Sequence, residues 1–328
     1  MRSDRGREAA ALQGFSRGQN PRERILALAP ETSLTGHSGL PLNLSMLLRE
    51  VGYARPSTVD EAISLLAEHD GARALAGGQT LLNVMKARAA APEVLVDLAD
   101  LSELRTIGFS SDGLLEIGAM VTYTQLIGSS EVEVARPILA EVAATIADLQ
   151  VRNRGTVGGN VCVADPTNHL PPLFSALGAT FTIRGGGGER TVGADEFFVG
   201  VYMTAVGEGE LLTKVSVPPS TGEGDGFSGV TIGKHGTYVV DAAATVSDDD
   251  VRIAIGCVAA VPVRATAMEG RLAGSDFSED SVRGAAEGLG ASLDPPSDVH
   301  GSAEYRRHLA EISAVRAVLQ AAERRKAA

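Results

Sequence analysis

Read along the chain, apolar and polar positions alternate between helical and strand spacing from about residue 53 onward. Pro56 is followed by Thr58 and, three residues on, Glu61. This is the spacing of a capping box, and Ile63, Leu65 and Leu66 then supply a buried helical face as far as His69. A short apolar strand is expected over 72–76, stopped by Gly77 and Gly78, with a helical run over 79–86. Strands are expected over 94–98 and 114–119, and one long helix over 134–149. A second glycine cluster follows at Gly155, Gly158 and Gly159, then prolines at 166, 171 and 172. Residues 173–177 read as a helical turn or two, 179–184 as a strand, 185–188 as a hairpin loop and 211–217 as a strand. The polar, glycine-rich stretch 220–226 reads as a domain boundary. Beyond it come strands over 238–246 and 251–259, joined by an acidic turn, then helices over about 278–289 and 303–324. Strands followed by helices indicate an α+β arrangement for this last part.

The chain of 328 residues is long enough for two domains and a sizeable core. Residues 1–45, rich in Arg, Gly, Pro and Ser and without periodicity, read as a disordered leader, and translation from Met46 is the sharper alternative. No apolar segment of the secretory type is present there, so a signal peptide is not expected. No stretch approaches the roughly 18 uninterrupted apolar residues of a membrane span. A net charge of −12 without a basic stripe argues against nucleic-acid binding. Two cysteines, Cys162 and Cys257, are too few for an iron–sulfur cluster held by four thiolates and suggest a cytoplasmic protein with inert thiols.

The candidate chemistry lies in the two glycine segments. Leu75-Ala76-Gly77-Gly78-Gln79-Thr80-Leu81-Leu82 runs from a strand through a glycine pair to a helix start, and Gly155-Thr156-Val157-Gly158-Gly159-Asn160-Val161 is the second. Both offer main-chain N–H groups unobstructed by Cβ atoms, together with a Thr hydroxyl, which suits a diphosphate held by backbone donors. Spacing alone supports a plain turn and a phosphate cradle equally. Gly224, Gly226 and Gly229 also fit G-x-G-x-x-G, but polar residues precede them and a strand is expected after them, so a Rossmann site is not expected there.

The run ALAGGQTLLNVMKARAAAPEVLVDLADLSEL (74–104) resembles the first FAD-binding segment of the medium subunit of the carbon monoxide dehydrogenase and xanthine dehydrogenase (molybdenum hydroxylase) family. VRNRGTVGGNVCVADPTNHLPP (151–172) resembles the second, and SAEYRRHLA (302–310) the closing helix. The resemblance extends from about Met46 to the end. It implies a PCMH-type FAD-binding fold over 46–219, made of two α/β subdomains (about 46–100 and 101–219), and a smaller C-terminal α+β flavoprotein domain over 226–328. Carried over by position, Leu75, Ala76, Gly77, Gly78, Gln79, Thr80 and Leu81 would wrap one side of the diphosphate and adenosine of FAD. Thr156, Gly158, Gly159 and Asn160 would hold the other side. Asp165 would orient that loop or meet the ribityl hydroxyls, and Leu211 would lie beside the adenine or flavin. Tyr238 or Val239, and more weakly Lys234, would lie near the isoalloxazine. His169 stands where the family often has an Asp that bonds FAD; a loop histidine without that role is the alternative. Arg152 and Arg154 could attract phosphate or a partner's carboxylates, or be solvated.

The resemblance further implies a complex with a molybdenum-cofactor large subunit and an iron–sulfur small subunit, assembled as a dimer of heterotrimers. This chain would pass electrons from the clusters to an external acceptor: a quinone, NAD or oxygen. No catalytic side chain is expected on it. Two other readings are a free-standing flavin oxidase of the same broad fold, and a flavin-free scaffold subunit. Aromatic residues at 4% and the absence of Trp weigh against the oxidase, which would want a bulkier substrate domain.

Overall fold

The computed structural model describes residues 26–27, 48–233, 237–248 and 250–327. Of the expected leader only Leu26–Ala27 is described, a short strand antiparallel to Gly52–Tyr53; the rest of that expectation, and Lys234, lie outside the described residues.

The first layer is a four-stranded sheet of β1 (Leu26–Ala27), β2 (Gly52–Ala54), β3 (Arg73–Leu75) and β4 (Val94–Asp97) in the order β1-β2-β4-β3. β4 runs parallel to both β2 and β3. Helix α1 (Val59–Glu68) starts as its sequence predicts, with Thr58 accepting the Glu61 amide at 3.2 Å, and buries Ala62, Ile63, Leu65 and Leu66 on the sheet. Helix α2 (Leu81–Lys86) follows the first glycine segment.

The second layer is antiparallel. Strands β5 (Ile107–Phe109), β6 (Leu115–Gly118), β7 (Thr180–Gly185) and β8 (Gly188–Gly193) join a later strand, Leu211–Val217, at the centre of the sheet. The Gly185–Gly188 hairpin turn is present as expected. Seven helices accompany this sheet: α3 (Tyr123–Ile127), α4 (Ser130–Ala135), α5 (Ile138–Thr145), α6 (Leu149–Arg152), α7 (Val157–Val163), α8 (Leu170–Ala176) and α9 (Ala194–Phe197). A small ribbon of β9 (Phe198–Gly200) and β10 (Met203–Thr204) then leads into the central strand, β11 (Leu211–Val217). Phe174, Phe181 and Phe197 are fully enclosed in this core.

The single helix expected over 134–149 is broken in two places. Pro137 lacks an amide and disfavours helical geometry at Arg136, whose φ is −154°, so α4 stops there and α5 starts afresh. The second break is at Ala147, left-handed at φ 43°, after which Asp148 caps α6 through the Val151 amide at 2.8 Å.

The third layer is a sequential meander of β12 (Gly224–Thr231), β13 (Tyr238–Val246), β14 (Val251–Gly256) and β15 (Val263–Arg264), covered by α10 (Thr266–Leu272), α11 (Glu279–Ala286) and the long α12 (Ala303–Ala327). The glycines of the G-x-G-x-x-G pattern lie within β12 itself. A Cβ on Gly224 would strike the Ala321 carbonyl and one on Gly226 the Ala317 carbonyl, so these glycines let α12 approach the sheet. β13 is buried throughout. Val240, Ala242 and Ala244 belong to the core under α12, whereas Ala243 joins the core of the second layer. The two faces of one strand thus weld the C-terminal layer to the rest.

Candidate functional site

A cleft of about 990 Å³ runs between the first and second layers, and both glycine segments lie on its wall. They touch. A Cβ on Gly77 would collide with the Arg154 carbonyl, and one on Gly159 would sit 3.8 Å from the Ala76 methyl. Gly77 is thus required by the backbone of the second segment, whereas Gly159 makes only ordinary contact with the first.

The first segment turns at Gly78, which takes the left-handed φ of +72°. Gln79 Nε2 donates to the Gly77 carbonyl at 3.0 Å, and Asn83 Nδ2 to the Gln79 carbonyl at 2.7 Å, fixing the loop from within. The amides of Gly77, Gly78, Gln79 and Thr80 donate to no acceptor among the described residues. Four open donors on one turn form a concave positive end, the geometry that holds an anion.

The second segment differs from the expectation. Apart from that of Thr156, its amides are already engaged: Gly155 with the Val151 carbonyl at 2.6 Å, Val157 with Val121 at 2.9 Å, Gly158 with Ala119 at 2.9 Å and Asn160 with Thr156 at 3.0 Å. The Gly159 amide donates to Thr156 Oγ1 at 3.0 Å, capping α7. This loop thus contributes mainly a closely packed wall, glycine at 155, 158 and 159, rather than a second row of donors. Gly158 is pinned on Ala119 and Gly155 on the Tyr123 ring, where side chains would collide. With α2 six residues long and α7 seven, the open amides, not helix dipoles, dominate.

Of the other sequence-predicted residues, Ala76, Gln79, Thr80, Leu81, Thr156, Asn160, His169 and Leu211 line the cleft. Asn160 Nδ2 donates to the Tyr123 hydroxyl at 3.0 Å, and its buried Oδ1 meets no donor among the described residues. Burial pushes the Tyr123 hydroxyl up to about 12, so it stays a neutral partner. His169 is buried, and desolvation pulls its imidazole down to about 4, leaving it neutral.

Leu75, Asp165 and Tyr238 do not form part of the cleft wall. Leu75 packs with Val51, Met85 and Leu95 on the far side of its strand. Asp165 Oδ1 accepts from the Thr167 amide at 2.9 Å and its hydroxyl at 2.7 Å, so this carboxylate shapes the loop leading to His169. Tyr238 stands behind His169, ring centroids 4.5 Å apart and edge to face. Val239 is enclosed in the C-terminal core, and Thr237 takes the place on the cleft wall. Arg152 spans the carbonyls of Ile146 and Ala147 at 2.9 and 2.8 Å, holding the left-handed turn rather than reaching a phosphate. Arg154 is exposed. Cys162, expected to be an inert thiol, keeps surface open to the cleft while protein closes around it, and desolvation pushes its thiol up to about 12.

Sequence reading missed the stretch after β8. Tyr202, Met203 and Thr204 line the cleft mouth. Tyr202 is 63% exposed, sits at a left-handed φ of 57° and donates from its hydroxyl to Asp165 Oδ2 at 3.3 Å. The available signal was the apolar run Phe197-Phe198-Val199-Gly200-Val201-Tyr202 in a chain poor in aromatics.

The open amides, the closely packed wall and the unpartnered buried oxygen fit a long ligand carrying a diphosphate, and thus FAD. Comparison with known proteins agrees. The family described as the FAD binding domain in molybdopterin dehydrogenase matches residues 49–220, and the CO dehydrogenase flavoprotein C-terminal domain matches residues 237–321. The chain is 38% identical over 267 residues to the carbon monoxide dehydrogenase medium chain of Hydrogenophaga pseudoflava, covering 79% of this chain and 92% of that one. It is 32% identical over 279 residues to the glyceraldehyde dehydrogenase medium chain of Sulfolobus acidocaldarius, covering 83% and 99%. Among solved structures, quinoline 2-oxidoreductase from Pseudomonas putida 86 superposes with a TM-score of 0.81 at 36% identity, over 85% of this chain and 99% of that one. Carbon monoxide dehydrogenase from Hydrogenophaga pseudoflava does so with a TM-score of 0.82 at 37% identity, over 85% and 99%. With the two family models matching residues 49–220 and 237–321, this chain belongs to the FAD-binding medium-subunit family of the molybdenum-dependent dehydrogenases, and FAD is its cofactor.

Proposed function

We propose that this chain is the electron-relay subunit of its complex, taking electrons from iron–sulfur clusters of a small partner and delivering them to an external acceptor. A large partner carrying the molybdenum cofactor oxidises the substrate, and the assembly is a dimer of heterotrimers. The observation that carries the reading is the row of open amides at Gly77, Gly78, Gln79 and Thr80 facing the Thr156–Gly159 wall across one cleft.

FAD supplies the redox chemistry, exchanging electrons one or two at a time; the chain's own residues bind and orient it. The four amides offset the desolvation of the diphosphate without adding net charge to an acidic protein. Gly158 and Gly159 let the second segment pack closely on Ala119 and on its own Thr156 hydroxyl, setting that wall of the cleft. His169 offers a neutral ring on the wall, where it can bond to a polar edge without fixing a charge beside the cofactor. Tyr202, exposed at the mouth and tied to Asp165, is placed to cover a flat ring with its own face.

Copurification from the native source, with absorption spectra and metal analysis of each subunit, tests this. The expected result is one FAD on this chain, with iron and molybdenum on two partners. A chain that purifies without such partners and turns over a small alcohol by itself would overturn the relay.

A further inference from the structure

β3 is the last strand of its sheet, so one of its sides has no strand beside it. In a parallel ladder a residue that directs both its N–H and its C=O to the neighbouring strand alternates with one that directs both away. Leu75 is of the first kind: it pairs with Asp97, and its carbonyl accepts from the Leu98 amide at 3.0 Å. Ala74 therefore points its N–H and C=O off the open side of β3. No described residue pairs with that side, and Ala74 lines the cleft together with Leu66, Leu98 and Leu211. A main-chain donor and acceptor set side by side between apolar walls, without a protein partner, is an unfinished strand edge.

We infer that Ala74 reads the base of the dinucleotide through its main chain: the N–H donates to adenine N1 and the C=O accepts from the 6-amino group. This rests on the FAD reading above and adds to it the element that selects adenine. The apolar side chains suit the faces of a flat, neutral base. Gly77 lies three residues beyond Ala74, the strand ending at Leu75 and the chain then bending, a span of at most about 10 Å, comparable with the reach of a nucleoside from its phosphate to its base edge. Guanine presents the reverse pattern, an N1–H donor and an O6 acceptor, so it would set donor against donor and acceptor against acceptor. A site built on hydrogen bonds rejects a ligand that leaves them unmade more strongly than an apolar pocket rejects a change of size.

The test measures binding of FAD and of flavin guanine dinucleotide to the full-length chain by quenching of flavin fluorescence. FAD is expected to bind about 10- to 100-fold more tightly. Ala74→Pro replaces the outward N–H with a ring methylene, which a sheet edge tolerates; it is expected to weaken FAD at least about 10-fold and to narrow the preference over the guanine dinucleotide. FAD carrying 1-deaza-adenine, which lacks the N1 acceptor, is expected to bind the unaltered chain about 10-fold more weakly than FAD, a result independent of whether the proline variant folds. Equal affinity for FAD and the guanine dinucleotide, or undiminished affinity for the 1-deaza compound, would overturn the inference while leaving FAD binding intact. Failure to retain any flavin dinucleotide would instead overturn the FAD reading beneath it.

Discussion

Gly77 and Arg154, distant in sequence, are in backbone contact: no side chain fits on the glycine because the Arg154 carbonyl occupies the space a Cβ would take. This close approach brings the donor loop and the closely packed wall to one cleft.

Gly77→Ala should therefore push the loops apart. Overpacking of this kind costs about 1–3 kcal/mol, and FAD affinity should fall by more than 10-fold even where the chain remains folded. Gly78→Asp adds a carboxylate beside the open amides at a left-handed position, and Gly159→Asp drives a side chain into Thr156 Oγ1, 2.8 Å from where its Cβ would sit. Both should lose FAD through repulsion and blocked approach. Flavin content after purification and reconstitution is the measurement. Stoichiometric FAD in both aspartate variants would refute the placement.

His169 gives a pH signature. Its imidazole is pulled from 6.5 down to about 4 by burial, so between those values the unfolded chain binds the proton that the folded one refuses. Its contribution, of order 3 kcal/mol, is present above pH 6.5 and is lost as the pH falls toward 4. Denaturant unfolding of wild type and His169→Gln at pH 7 and pH 5 should show a smaller loss on acidification in the variant. Parallel losses would mean the ring is protonated in the fold.

A second signature has the opposite sign. Asp241 is fully buried on β13 beside the Gly256 backbone, and desolvation outweighs that contact and holds its carboxyl well above the usual range. The fold thus keeps a proton that the unfolded chain releases near pH 4, and stability drains away as pH rises above that point. Asp241→Asn, neutral at every pH, should gain stability relative to wild type between pH 4 and pH 7. Calorimetric melting at the two pH values will show a widening difference, or a constant one if the carboxyl is ionised.

The seam between the second layer and the C-terminal sheet holds a buried ion pair. Arg136 Nη1 lies 2.9 and 3.1 Å from the Asp225 oxygens, and Thr245 Oγ1 donates to the same carboxylate at 2.5 Å. Burial still holds the Asp225 carboxyl above its ordinary value, so desolvation outweighs the attraction of Arg136. Removing one partner strands the other: Arg136→Leu or Asp225→Leu should each destabilise by about 3–5 kcal/mol, and the double substitution by less than the sum. A double-mutant cycle by urea unfolding measures this coupling, and strict additivity would show that the pair contributes nothing to the seam.

Much of this was legible in the chain itself. The mostly apolar runs that became β4, β11 and β13 are buried strands even though Lys214 and Asp241 interrupt two of them, and α12 follows from its long helical spacing. Thr58 with Glu61 marked the start of α1. Pro137 was equally visible; the error was to let the apolar spacing over 134–149 outweigh a missing amide. Tyr202 was not marked, because a short ribbon of two and three residues has too little periodicity to read.

By itself, then, the sequence determined the elements, the glycine positions and the family, since these depend on local spacing and residue type. Only the tertiary structure decided which amides remain open. Those of Val157 and Gly158 are engaged because the carbonyls of Val121 and Ala119 are folded alongside them, whereas no described acceptor meets the amides of Gly77 to Thr80. A hydrogen-bond donor becomes a binding group only when folding leaves it without a partner, and that partner is set by chain far away in sequence.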